Sequence, residues 1–280
     1  MSSRGELLAR AAAQLAAVSA SARLDAEVLL AHVLDCERSA LIAHPAQAVA
    51  DAPATAFHSL LLRRQRGEPV AYLTGRREFW SLSLALTPAV LVPRPETEVL
   101  VELALARLPA GEPSAVLDLG TGSGAIALAL ATERPTAHIT ATDVSSAALA
   151  VARANAQRLG LAQLRFRQGD WFKAVSSERF DLVVCNPPYV AATDPHLATL
   201  HAEPATALVA GATGLEAFER VVPAAREHLR EDGWLLLEHG ADQAAAVKNL
   251  LERHGFHDVT SHPDYSGTPR VTLGSHSSNR

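Results

Sequence analysis

The sequence predicts an α/β protein in which a mostly parallel, helix-covered sheet follows a small helical domain and a β-hairpin linker. Three observations carry this. Up to about residue 75 apolar residues recur with the helical period. From Glu78 the period changes to two. From residue 115 to about 275 short apolar runs alternate with helical stretches, a pattern that implies parallel strands with helices on both faces. The expected boundaries are 1–75 for the helical domain, 76–95 for the linker and 96–280 for the larger domain.

In LDAEVLLAHVL, Leu24, Val28 and Leu29 recur at helical spacing, with Asp25, Glu27 and His32 between them. A second helix is expected from Pro53 to Arg66, with Phe57, Leu60, Leu61 and Arg64 three and four apart, and Gly67, Glu68 and Pro69 stop it. Trp80, Leu82, Leu84 and Leu86 then share one side of a strand, and Ser81, Ser83, Ala85 and Thr87 the other. Pro88 ends that strand, and VLVP (90–93) is the expected return partner of the hairpin. PRPETE, from Pro93 to Glu98, opens an amphipathic helix running to Leu108, and AGEPS forms a loop. AVLDL (115–119), HITATD (138–143), LRFRQ (164–168), FDLVVCN (180–186) and GWLLLEH (233–239) are the expected strands. Helical stretches between them cover 125–132, 146–159 and 215–229. HDVTS and RVTLG pair to close the sheet, and the polar tail SHSSNR is expected to be loose.

Composition narrows the function classes. With 48% apolar and 20% charged residues among 280, the chain is globular rather than disordered. No apolar run approaches the roughly eighteen residues of a membrane span. The opening MSSRGELLARAAAQ lacks the apolar core of a signal peptide. Cys36 and Cys185 have neither metal nor redox spacing, and a reducing, cytoplasmic setting is expected. Arg supplies 23 of the 25 bases and Ala 54 residues, a bias that fits a GC-rich genome better than selection for binding. A net charge of −5 without a basic run argues against a protein that holds nucleic acid mainly through phosphates, although a small basic cleft remains open.

The first site signal is AVLDLGTGSGAIALALA. A strand ends at Leu119, and Gly120, Gly122 and Gly124 precede a helix. Such glycines let the chain turn sharply and let a ligand lie on bare backbone at a helix N-terminus. Alone, this pattern fits dinucleotides, nucleosides or a tight turn without a ligand. The next strand ends at Asp143, 19 residues beyond Gly124. An acid there can accept from both ribose hydroxyls, or cap the helix that starts near Ser146. Asp170 and Trp171 follow the third strand. They can receive an exocyclic amine and cover a purine face, or be an exposed loop acid and a core-edge ring. Three successive strand ends, each suited to one part of an adenosine, point together to a nucleoside site.

The second signal is FDLVVCNPPYV. A buried strand ends at Asn186, followed by Pro187, Pro188 and Tyr189. Two prolines stiffen the turn and remove two donors, so nearby carbonyls remain acceptors. Asn186 adds a carbonyl oxygen and Tyr189 a flat face. Together they can hold a planar NH2 group; the plainer reading is a rigid turn.

DLGTGSG followed by NPPY resembles the class I S-adenosylmethionine-dependent methyltransferases that methylate NH2 nitrogens. More narrowly, the chain resembles the HemK/PrmC-type release-factor glutamine methyltransferases. The likeness runs through EPVAYLTGRREFWSLSLALTPAVLVPRPETE, DLGTGSGAIALALA, GDWF, NPPYV, EPATALVAGATGLEAF and DYSGTPRVTLG. It departs at Ala205-Thr206, where the family has a larger, more basic pair, and at Tyr265-Ser266, where it has Leu-Ala. The resemblance implies a Rossmann-like, seven-stranded sheet and S-adenosyl-L-methionine as cofactor. It implies that Gly120, Thr121, Gly122, Ser123 and Gly124 hold the methionine moiety, Asp143 the ribose, and Asp170 and Trp171 the adenine end, with Asn186 beside the cofactor. Asp118 would steady the loop or the methionine amine. Asn186, Pro187, Pro188 and Tyr189 would hold the substrate glutamine, with Asn186, Pro187 and Tyr189 catalytic. The implied partner is a class-I peptide chain release factor, presenting the glutamine of its Gly-Gly-Gln loop to an enzyme whose helical domain docks it. PRPETE and Glu203 fall around the mouth, with no role assignable from sequence.

An amide nitrogen is a poor nucleophile because its lone pair is shared with the carbonyl. If the Asn186 oxygen and the Pro187 carbonyl accept its two hydrogens, the NH2 is turned or pyramidalised and its lone pair is aimed; no His or Cys stands ready as a general base. Two rival readings remain at this stage. An adenine-amino methyltransferase on DNA or RNA would need a basic recognition surface, yet the segment to Ala85 has only 9 bases against 8 acids. A non-catalytic cofactor-binding module would have no need of an intact NPPY. No metal site is expected, because His254 and His257 are split by Gly255 and lack further ligands.

Overall fold

Helical period at the N-terminus and strand-helix alternation after it produce two units in the computed structural model, which describes residues 2–277. One comprises the residues up to Arg76 together with Thr199–Ala202; the other comprises Arg77–Ala198 and Glu203–Arg280.

The first unit is built from α1 (Arg4–Leu15), α2 (Ala22–Val33), α3 (Arg38–Ala43), α4 (Asp51–Gln65) and α5 (Val70–Thr74). Ser3 caps α1 in a reciprocal box, its hydroxyl accepting from Glu6 N while Ser3 N donates to the Glu6 carboxylate. Leu8, Leu15, Leu29, Leu30, Phe57 and Leu61 form its core. The inward stripe of α2 differs from the expected one. Leu24 is 43% exposed, whereas Asp25 and Glu27 are buried. The acids are compensated: Asp25 accepts from Arg64 Nε at 2.8 Å and Ser19 Oγ at 2.8 Å, and Glu27 from Arg23 and Arg38. Thus Arg64 belongs to the inward face of α4 as an ion-pair partner.

A hairpin follows, β1 (Arg76–Phe79) and β2 (Leu82–Ala85), all but its first residue in the second unit. This corrects the expected pairing of a longer strand with VLVP. Trp80 and Ser81 form the turn, both with left-handed backbone at φ 53° and 57°. That is the conformation whose twist suits a two-residue hairpin. Trp80 is held there by its backbone N–H on Glu98 Oε1 and its indole N–H on Glu133 Oε1, each 2.9 Å. Next come a 3₁₀ turn at Pro95–Thr97 and α6 (Glu98–Leu105), shorter than expected.

Then follow β3 (Ala115–Leu119), α7 (Ala125–Glu133), β4 (His138–Asp143), α8 (Ser146–Arg158), β5 (Arg165–Gln168), β6 (Phe180–Cys185), β7 (Val190–Ala191), α9 (Ala205–Leu208), β8 (Val209–Gly211), α10 (Glu216–His228), β9 (Leu229–Glu238), α11 (Ala244–Arg253), β10 (His257–Pro263) and β11 (Pro269–His276). The sheet order is β10-β11-β9-β6-β3-β4-β5, seven strands in which β11 alone runs against its neighbours. Strand β9 starts earlier than expected because Leu229 already pairs with Phe180, ahead of an irregularity before Trp234. Ser275 and His276, placed in the loose tail by sequence, are strand residues; 278–280 lie outside the described residues.

Strand alternation divides the core. Val116, Val184 and Leu236 pack on one face with α6 and α7, while Leu117, Val183, Cys185, Leu235 and Leu237 pack on the other with α10 and α11. Asp118 pairs with Val184 in the ladder, and Val184 with Leu236, so Asp118 lies on the α6–α7 face. Continuing that register by one pair places Asn186 and Glu238 abreast on the same face.

Candidate active site

Parallel strands end at the same sheet edge, where their loops can converge on a ligand. Here the loops after β3, β4, β5 and β6 line one cavity of about 390 Å³. Gly120, Gly122, Asp143, Asp170, Trp171, Asn186 and Pro188, all expected from sequence, are on its wall.

Gly122 shows why the loop needs glycine. Its φ is 54°, and a Cβ built on it meets nothing within 4 Å, so its backbone is open to the cavity. Its N–H donates to Asp143 Oδ2 at 2.9 Å, and Asp143 Oδ1 accepts from Ser145 N at 2.8 Å. Asp143 therefore ties the glycine turn to the start of α8, and the helix cap is Ser145, whose hydroxyl accepts from Ala148 N. Thr121, Ser123 and Gly124 are not on the cavity wall. The Thr121 hydroxyl donates to Asp118 Oδ2 at 2.6 Å, and the Ser123 carbonyl accepts from Asn155 Nδ2 at 3.0 Å. A Cβ on Gly124 would come 3.2 Å from Ala152 Cβ, so this glycine lets α7 approach α8.

Asp118, 0% exposed, also accepts from Ala127 N, leaving Oδ1 without a partner. Burial pushes its carboxyl up to about 7 against the pull of these two bonds. Asp170 is engaged by Lys173 Nζ at 2.9 Å and by Arg220 Nη2 at 2.7 Å, which hold its carboxyl below the usual carboxylate range. The Arg220 guanidinium also lies 6.0 Å from the centre of the Trp171 ring.

At the far wall, Asn186 Nδ2 donates to Thr97 Oγ1 at 3.3 Å. Pro187 is buried, and neither it nor Tyr189 is on the wall. The Tyr189 ring packs against the apolar cluster that includes Phe218 and Leu237, and burial pushes its phenol up to about 12. Its carbonyl accepts from Gln243 Nε2 at 2.9 Å. Glu203, buried, accepts from Val92 N at 3.0 Å and pairs with Arg94. It thereby ties the chain entering PRPETE to the chain entering α9, two segments that both contribute to the wall.

Several site residues were not read from sequence. Arg220 carries no local pattern, and Thr97 lies in PRPETE, which the sequence put at the mouth without a role. Glu238 does carry a pattern: like Asp143 it is an acid at the end of an apolar strand run, WLLLE. Asn155 bridges Ala85 and Ser123 from within α8, a long-range role no local pattern encodes.

Sheet order and a cavity at the strand ends define a class I S-adenosylmethionine-dependent methyltransferase. The fold is shared with a methyltransferase from Pyrococcus furiosus, at a TM-score of 0.55 and 20% identity over 79% of this chain and 98% of that one. A PrmC N-terminal domain matches residues 6–75 and a methyltransferase small domain residues 96–211. The release factor glutamine methyltransferase of Xylella fastidiosa is 51% identical over 90% of this chain and 92% of its own. That of Escherichia coli is 46% identical over 95% and 96%. The chain belongs to the release factor glutamine methyltransferase family.

Proposed function

We propose that this enzyme transfers a methyl group from S-adenosyl-L-methionine to the side-chain amide nitrogen, N5, of the Gly-Gly-Gln glutamine of class-I peptide chain release factors. The observation that carries this reading is the shared cavity: a glycine turn suited to a nucleoside cofactor and an Asn-Pro-Pro corner suited to a carboxamide open into one space.

The residues present fit the cofactor. Gly120 and Gly122 offer bare backbone, Asp143 still has free lone pairs for a ribose, and Asp170 with Trp171 borders the adenine end. Thr121, Ser123, Gly124 and Asp118 support the loop from beneath. When bound, the cofactor supplies an electrophilic methyl. The protein's task is to hold the acceptor nitrogen. With Asn186 Nδ2 engaged by Thr97, its oxygen is the group left for a substrate N–H. The second acceptor comes from the backbone of the same turn, where Pro187 and Pro188 supply carbonyls without competing N–H groups. Two acceptors on one NH2 restrain its rotation, and such positioning can contribute up to roughly 7–11 kcal/mol. Tyr189, with its phenol kept neutral, stiffens the turn from behind.

The helical unit is the proposed docking surface for the release factor. Val18, Ile42 and Leu62 are exposed apolar side chains on it. A cytoplasmic location accords with such a partner, and no described helix is long and apolar enough to cross a membrane.

Labelled-methyl transfer to a purified release factor tests the proposal, with the Gln→Ala loop variant and duplex DNA as controls. Label should enter the wild-type factor alone. Asn186→Ala should slow single-turnover transfer by on the order of 100-fold or more; a rate within a few-fold of wild type sinks its role.

A further inference from the structure

Glu238 is a buried carboxyl at the site with no part in holding donor or acceptor. It is 1% exposed, and its Oε2 has no hydrogen-bond partner. It ends β9 one residue beyond Leu237, the ladder partner of Cys185, and Asn186 follows Cys185 directly. Thr97, buried and immediately before α6, receives the Asn186 Nδ2 hydrogen bond. Isolated carboxyls are costly to bury and are retained where they do something that an apolar side chain could not.

The geometry has a directional consequence. A primary amide has two faces, oxygen and NH2, that differ little in shape. Which of them meets the cavity depends on what the other end finds behind it. A hydroxyl alone would serve either face, since it can donate or accept. An ionised carboxylate can only accept. An acceptor that draws on both the Thr97 hydroxyl and the Asn186 amide takes the hydroxyl proton, so that Thr97 Oγ1 has its lone pairs left for Asn186. Only the NH2 end satisfies that arrangement, and the Asn186 oxygen is then turned to the cavity.

We infer that Glu238, together with Thr97, is a positioning residue that fixes the Asn186 side-chain amide with its oxygen toward the substrate. The inference rests on the proposed role of Asn186 as acceptor for the glutamine amide. Its chemistry is supported by the electrostatics. Burial raises the Glu238 carboxyl to about 7, while the Thr97 hydroxyl, Arg270 and the Asn186 amide pull it back and Glu96 opposes them. Its charge also reaches the Tyr189 phenol and the Cys185 thiol, which lie on the α10–α11 side of the sheet and are kept neutral by burial. Among the charged groups acting on Glu238, Arg270 is the leading cation and Glu96 the leading anion. A neutral Glu238 could donate as well as accept, and the amide would lose its preferred orientation.

Four variants test this by kinetics on the full-length enzyme with a release factor as substrate: Thr97→Val, Thr97→Ser, Glu238→Leu and the Thr97→Val/Glu238→Leu double. Thr97→Val should lower kcat about 10- to 100-fold with KM for the release factor changed less than about threefold. Thr97→Ser, which keeps the hydroxyl, should restore most of the rate. The double variant should be no slower than the slower single, because both hold the same amide in the same orientation. S-adenosyl-L-methionine binding, measured by calorimetry, should be unchanged throughout and shows that each variant is folded. Wild-type kcat should have an acid limb near pH 7 that Thr97→Val flattens. If wild type transfers label but Thr97→Val keeps its kcat, or if the losses multiply in the double variant, the positioning role is wrong. If wild type transfers no label, it is the parent reading that fails.

Discussion

Single side chains at this site do two jobs at once, and Asp143 shows it. Each of its oxygens accepts a backbone N–H, one from Gly122 and one from Ser145. The residue that sequence reasoning assigned either to a ribose or to a helix cap thus shapes the turn on which a nucleoside would lie. Asp143→Ala should cost about 1–3 kcal/mol in urea denaturation, since two hydrogen bonds to a carboxylate are removed. Donor affinity measured by calorimetry should fall at least about tenfold in the same variant. A variant that keeps wild-type stability while losing donor affinity would show that the loop stands without the carboxylate. Residues such as Asp143 and Asn186 were legible because each ends an apolar strand run, where a polar group needs a reason. Arg220 and Asn155 were not, because their partners are 30 or more residues away: Asp170 is 50 from Arg220, and Ser123 and Ala85 are 32 and 70 from Asn155.

At the level of elements, legibility followed apolar content. AVLDL and HITATD are both strands to the residue, being short apolar runs bounded by polar or turn residues. The hairpin was misread for a physical reason. A two-residue turn interrupts neither the polar nor the apolar alternation, and Trp80-Ser81 contains none of the Gly, Asn or Asp that normally mark such a turn. The left-handed backbone is imposed by tertiary contacts, the bonds of Trp80 to Glu98 and Glu133. Ser81→Gly should therefore relieve strain without touching those bonds, raising stability by about 0.5–1 kcal/mol. Chemical denaturation decides: a loss of stability would mean that the turn carries no strain worth relieving.

Over the whole molecule, two wholly buried carboxyls tie stability to pH. Asp118 and Glu238 are both raised to about 7, from 3.8 and 4.5. A carboxyl whose pKa rises on folding favours the folded state while protonated. Its contribution is complete below its unfolded pKa, near 4, and is lost as pH rises through about 7. Glu238→Gln removes one such ionisation. The Tm of this variant relative to wild type, both without donor, should climb between pH 5 and pH 8 by on the order of 5 °C. A pH-independent difference would mean that Glu238 does not ionise across this range. The same molecule-wide view gives the gathering of strand ends a practical meaning. The loops after β3, β4, β5 and β6 that touch the cavity leave one rim of the sheet, whereas the exposed segment 109–113 leads into β3 at the opposite rim. A fluorophore or an immobilising tag grafted at Gly111 would sit remote from the chemistry, making that bend the natural handle for single-molecule work.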